Sequence, residues 1–157
     1  MQQINIHIRE AKLSDLKILK DFEQGVVEYE RAFSPTLIKG EISYYDIEGL
    51  IKNEESDLIV AVIDDVVVGS GYLLVKDSKP YKKPSKYAYL GFMYVLPEYR
   101  GKGINGKIIE VLMTKAKNRN LTEIQLDVYA ENKSAISAYT RRGFKPDTLK
   151  MRLNTEG

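Results

Sequence analysis

Ile4, Ile6 and Ile8 alternate with Asn5, His7 and Arg9, and a period of two predicts a strand over 4–9. The period then lengthens. Leu13, Leu16, Leu19, Phe22 and Val26 recur at three- to four-residue steps around Ser14, a good helix N-cap. That helix must end before Ser34-Pro35, because proline pushes its predecessor out of the helical region. A second helix is expected over about 45–53. Residues 58–63 and 66–75 are rich in β-branched side chains and are separated by Asp64-Asp65, a hairpin signal. Gly69 and Gly71 within the second of these strands suggest a bulge or a close backbone approach. Two prolines and four lysines over 77–86 predict a loop. A strand over 87–95 follows. Ile104, Ile108, Val111, Leu112 and Ala116 then form one stripe of a helix over 104–118. A strand over 124–129, a short helix over 133–142 and a closing strand over 148–153 complete the chain.

The order β-α-α-β-β-β-α-β-α-β mixes hairpins with a later βαβ unit. It predicts an α/β fold of the α+β type, a three-layer sandwich around a mixed sheet rather than a doubly wound parallel one. At 157 residues, with 43% hydrophobic and 29% charged side chains, the chain reads as a single domain over 1–157 with a core of its own. The net charge of +2 does not point to nucleic acid or to a membrane. Absence of cysteine removes disulfides, thiol catalysis and thiolate metal sites. The single histidine, His7, reads as the polar face of a strand, and no metal is expected. No secretory signal and no apolar run long enough to span a bilayer is visible, so a cytoplasmic protein is expected.

The segment Val95-Leu96-Pro97-Glu98-Tyr99-Arg100-Gly101-Lys102-Gly103-Ile104-Asn105-Gly106-Lys107 joins a strand to an amphipathic helix. Glycines at such a junction expose backbone N–H groups at the positive end of the helix dipole, where phosphate binds. Arg100 and Lys102 add charge there. A ligand-free glycine turn is the plain alternative. A nucleotide P-loop would also fit Gly101-x-x-x-x-Gly106-Lys107, but Ile108 stands where the Mg²⁺-binding hydroxyl belongs.

Arg100-x-x-Gly103, directly after Val95-x-Pro97-Glu98-Tyr99, resembles the pyrophosphate-binding motif of the GNAT superfamily of acyl-CoA-dependent N-acetyltransferases. Asn132-Lys-Ser-Ala135-Ile136-Ser-Ala-Tyr139-Thr-Arg-Arg-Gly143-Phe144 resembles the second signature of that family, at the family's spacing. The likeness covers 57–153; residues 1–56 match only in element order. One departure is Asn105, where the family often has glycine or alanine. The resemblance implies a mostly antiparallel sheet in which two parallel strands, 87–95 and 124–129, splay to admit acetyl-CoA. Met93, Tyr94 and Val95 would then offer backbone groups to the acetyl carbonyl and pantetheine. The backbone of Gly101, Lys102, Gly103, Ile104, Asn105 and Gly106 would hold the pyrophosphate, with Arg100 beside it. Asn132 reads as a helix N-cap and, by resemblance, as a cofactor contact. Tyr139 reads as core packing and, by resemblance, as the general acid that meets the departing thiolate. Strand 87–95 carries no carboxylate, where many relatives place a glutamate base; Asp127 is a candidate.

Residues 21–57 hold ten acidic and three basic side chains. They read as a solvated face or as a site for a cationic acceptor, with Glu28, Glu30, Glu41 and Asp46 around Tyr44 and Tyr45. Lys79-Pro80-Tyr81-Lys82-Lys83-Pro84 reads as a charged hairpin tip before it reads as a nucleic-acid patch. The expected partners are acetyl-CoA and an amine acceptor, with no nucleic acid and no membrane. A homodimer is compatible with the chain. Besides the acetyltransferase, a noncatalytic CoA-binding module and a nucleotide-binding protein remain as readings.

Overall fold

The computed structural model describes residues 5–157, which form two compact units that divide between Asp127 and Val128. In the first unit β1 (His7–Glu10) leads through a 3₁₀ turn at Leu13–Asp15 into α1 (Leu16–Glu30), followed by α2 (Ile47–Lys52). Then come β2 (Ser56–Ile63), β3 (Val66–Asp77), β4 (Lys86–Val95), α3 (Ile104–Asn118) and β5 (Ile124–Gln125). The first residue of the strand expected over 4–9, Ile4, lies outside the described residues.

The sheet runs β1-β2-β3-β4-β5. Its first three pairings are antiparallel, whereas β4 and β5 are parallel and meet only at Ala88↔Ile124 and Tyr89↔Gln125. The β2–β3 hairpin turns at Asp64 and Asp65, with φ of 49° and 64°. Two consecutive left-handed residues match the twist of the flanking strands, and aspartate tolerates that conformation better than most side chains.

Alternation sends the two faces of the sheet to different partners. Leu58, Val60, Tyr72 and Phe92 meet Leu19, Phe22 and Val26 of α1 and Ile47 of α2 in one buried cluster. On the other face α3 buries Ile104, Ile108, Ile109, Leu112 and Ala116. Arg119, just past α3, ties its end to the sheet through Asp57, at 2.8 and 3.2 Å. Three layers result, with no membrane-length apolar helix among the described residues.

The second unit holds α4 (Lys133–Arg141). It differs from expectation beyond that helix, since residues 148–153 form no strand. Leu149, Met151 and Leu153 alternate as a strand would, yet are 71%, 84% and 85% exposed. Alternation specifies which side chains seek burial, but a strand also needs a ladder partner, and that information is not local. For the same reason the strand expected over 124–129 is hydrogen-bonded only over Ile124–Gln125. The start of α1 also differs. Ser14 lies inside the 3₁₀ turn and the N-cap is Asp15.

Asp15 is 6% exposed. It receives both arms of the Arg9 guanidinium, at 2.8 and 3.0 Å, and the Lys12 N–H at 2.7 Å. The Arg9 hydrogen bonds outweigh burial and hold its carboxyl below the usual range. A depressed folded-state pKa stabilises the fold above the unfolded carboxylate range, and the gain is lost as pH falls through the lowered value. Asp15→Asn is therefore expected to cost about 2 kcal/mol at neutral pH, short of a fully buried pair because Arg9 is partly exposed. Urea denaturation across pH should show the gap between variant and parent closing below the ordinary carboxylate range.

Candidate functional site: the β4 edge and the glycine turn

Midway along β4 the backbone breaks pattern. Gly91 pairs with Tyr72 and Tyr94 with Ser70, leaving Phe92 and Met93 opposite Gly71 alone. This is a β-bulge, and Phe92 takes a left-handed φ of 56° to make it. The buried Ser70 hydroxyl donates to the Phe92 carbonyl at 2.9 Å, which satisfies the group the bulge displaced. Past Tyr89↔Gln125 no strand is hydrogen-bonded to the outer edge of β4 among the described residues. From Gly91 to Tyr94 the backbone on that edge enters no strand ladder.

Met93 points to the α3 face, near Ile108 and Leu112. Tyr94 turns the other way, its ring 5.0 Å from that of Phe22. A Cβ on Gly25 would lie 2.5 Å from the Tyr94 ring, so a larger residue there would force that ring to move. Val95 is buried, and its carbonyl accepts the Arg100 Nε–H at 2.9 Å. The Arg100 guanidinium lies 5.6 Å from the Tyr94 ring and 5.7 Å from Tyr29. Arg100 thus braces the turn onto β4.

The turn itself passes through Gly101 and Gly103, with φ of 77° and 82° and open space beyond each Cα. Any other residue would be strained at these positions. Among the described residues, the N–H groups of 101–106 have no acceptor, and the first donor of α3 to find one is Lys107, to Gly103 O at 3.2 Å. Lys102 is exposed, its ammonium 5.4 Å from the Tyr99 ring. An array of free N–H groups at a helix N-terminus, with a cation beside it, fits a pyrophosphate. Asn105 is different: its Oδ1 is buried without a partner, so the side-chain carbonyl turns inward.

In the second unit Asn132 caps α4, accepting the Ala135 N–H at 3.3 Å. Tyr139 lies on the same helix, edge-on to Phe144 at 5.8 Å. Burial raises its phenol pKa, which keeps the hydroxyl protonated as a proton donor must be. The helix stops at Gly143, φ 98°, as its sequence suggests.

Sequence patterns did not single out three residues that shape this region. Ser70 pins the bulge. Glu23, 4% exposed, accepts the N–H groups of Tyr44 and Tyr45 at 2.8 and 2.7 Å, so Tyr45 can stack on Phe92 at 4.6 Å. Tyr89 donates to Asp127 at 2.6 Å. Of the acidic residues expected around Tyr44 and Tyr45, Glu28 pairs with Arg31 and Asp46 caps α2. Glu41 and Asp46 line a shallow cavity of about 300 Å³ with Glu23, Glu48 and Lys20. Glu30 lies near Tyr44, its carboxyl pKa raised by burial. Among the described residues no group of His, Cys, Asp and Glu has the arrangement of a metal site.

Residues 22–144 match the model of the acetyltransferase (GNAT) family. The chain belongs to that family. It is accordingly an acyltransferase. It is 30% identical over 141 residues to the thialysine N-epsilon-acetyltransferase of Mus musculus, covering 84% of this chain and 79% of the relative. It is 38% identical over 56 residues to N-alpha-acetyltransferase 30 of Schizosaccharomyces pombe, covering 36% of this chain and 37% of that one. Its fold matches that of a predicted acetyltransferase from Clostridium acetobutylicum, crystallised with acetyl-CoA. The TM-score is 0.74 at 21% identity, over 96% of each chain.

The orphaned Asn105 carbonyl yields a direct expectation. Asn105→Ala removes an unsatisfied buried acceptor and improves helix propensity, so the protein should gain about 1 kcal/mol. A rise in the urea midpoint at unchanged slope is the measurement.

Proposed function

We propose that this protein transfers an acetyl group from acetyl-CoA to a primary amine by direct attack within a ternary complex. The acceptor is a small cationic amine or a peptide amine. The observation that carries this is the unspent N–H array at Gly101–Gly106, placed at the end of a strand whose outer edge enters no ladder past Tyr89. The family match spans residues in both compact units, which supports reading them as one catalytic domain. The relatives named above, one an N-epsilon- and one an N-alpha-acetyltransferase, support N-acetylation without agreeing on the acceptor.

When bound, acetyl-CoA supplies an acyl group activated as a thioester. The backbone of Gly101, Lys102, Gly103, Ile104, Asn105 and Gly106 holds its pyrophosphate, and Lys102 adds charge. Arg100 shapes the turn. Main-chain groups of Met93, Tyr94 and Val95 take the pantetheine arm and the acetyl carbonyl, where a fixed donor opposes the charge that attack places on oxygen. Asn132 adds a contact from the start of α4. The Tyr139 hydroxyl donates its proton to the sulfur as the thiolate leaves. β4 offers no carboxylate to accept the amine's proton, so a water chain or a substrate amine of lowered pKa would stand in for a base on that strand.

Gly103→Val should abolish acetyl-CoA binding measured by calorimetry without added metal, through backbone strain and loss of the close approach. Binding like the parent would mean that the phosphate site lies elsewhere. Tyr139→Phe should leave acetyl-CoA affinity unchanged and lower kcat by about ten- to a thousand-fold where chemistry limits the rate. An unchanged kcat would assign Tyr139 to packing. Acetyl-CoA binding with no turnover across an amine library would favour a noncatalytic CoA-binding module, the reading that the carboxylate-free β4 also suits.

A further inference from the structure

The sheet face under α1 and α2 carries a continuous row of rings. Tyr45 stacks on Phe92 at the bulge and meets Tyr72 edge-on at 5.8 Å. Tyr72 in turn lies 6.4 Å from Tyr89. At the far end of this row the Tyr89 hydroxyl donates to Asp127 Oδ2 at 2.6 Å. Asp127 is exposed, and no ion pair reaches it among the described residues. The Lys76 ammonium stands 3.9 Å from the centroid of the Tyr89 ring, and Lys76 likewise enters no ion pair among the described residues.

These contacts have one chemistry in common. An aromatic face attracts an ammonium through its quadrupole, the more so when partly desolvated. A phenol that donates to a carboxylate has a more electron-rich ring, and the carboxylate adds its own field beside it. Burial and the Asp127 hydrogen bond both raise the Tyr89 pKa, so the phenol stays a donor and the arrangement persists across ordinary pH.

Position matters as much as chemistry. Tyr89 precedes the bulge at Phe92 by three residues, about 10 Å along an extended strand. It lies on the side away from the glycine turn, which follows Val95. A cofactor laid from the turn to the bulge would end short of Tyr89. On the acetyltransferase reading, the space beyond is left for the acceptor.

We propose that the Tyr89 ring and the Asp127 carboxylate form a seat for a second cation of the acceptor, occupied in the free protein by the ammonium of Lys76. This rests on the acetyltransferase reading and narrows it: the favoured acceptor is a diamine or lysine-like molecule with several methylenes between its two nitrogens. Lys76 sets the threshold. An acceptor must displace its ammonium from the ring, and a monoamine gains nothing by doing so.

The test compares 1,5-diaminopentane with pentylamine. In the parent, kcat/KM for the diamine should exceed that for the monoamine by about tenfold or more, the scale of a partly desolvated cation–π contact with a carboxylate nearby. Asp127→Asn should bring the ratio toward one, and Lys76→Met, which removes the competing ammonium, should raise it several-fold. Calorimetric titration of the diamine into CoA-loaded protein should show the same order of affinities, Lys76→Met above parent above Asp127→Asn. Equal ratios in parent and Asp127→Asn would overturn the seat. So would a drop in kcat for both amines alike, which would make Asp127 a base instead. If the parent turns over neither amine, the transfer reading fails on its own. Diamine binding to the CoA-loaded parent, lost in Asp127→Asn, then still decides whether the seat exists.

Discussion

Phe92 holds a left-handed backbone in the middle of the sheet, a conformation that a bulky side chain keeps only where its surroundings over-determine it. Here they do. Ser70 supplies the displaced carbonyl with a donor, and Tyr45 covers the ring from above. The extra residue shifts the alternation by one, so that Tyr89 before the bulge and Phe92 and Tyr94 after it all face α1. It adds local twist where β4 parts from β5. An edge outside the ladder, a braced turn and a covered aromatic row all follow from this one irregularity.

The character of the glycine turn is set by a short local sequence. Two glycines with positive φ leave a run of donors unspent, and Arg100 spends its own Nε–H on Val95 rather than on a ligand. Sequence reasoning gave Arg100 a phosphate role by its charge. The structure gives it a brace as well, set against Tyr29 and Tyr94.

What could be read from the chain alone was what depends on neighbours in sequence. Helix periodicity located α3 over Ile104–Asn118, and Asp64-Asp65 marked the hairpin. Gly101, Gly103 and Gly143 declared their turns. Long-range pairing was not readable. Nothing near Ser70 says that its hydroxyl meets a carbonyl 22 positions on, and nothing near Glu23 says that it collects the N–H groups of Tyr44 and Tyr45. The acidic excess over 21–57 could be read only coarsely for a related reason. Composition counts charges, whereas the structure spends several of them locally, on Arg31, on Lys52 and at the α2 cap. The strand expected over 148–153 is the same lesson in reverse, a correct amphipathic pattern without a partner.

The length of β4 separates two ends of the molecule that differ in chemistry. The bulge and the glycine turn lie toward Val95, and the lysine-bearing loop with Lys79, Lys82 and Lys83 hangs from the opposite end, before Lys86. From Phe92 back to Lys86 the strand alone spans roughly 20 Å, far more than a lysine side chain can reach back. Acetylation of those loop lysines by this site would therefore require a second molecule, and its rate would rise with the square of protein concentration rather than in proportion to it.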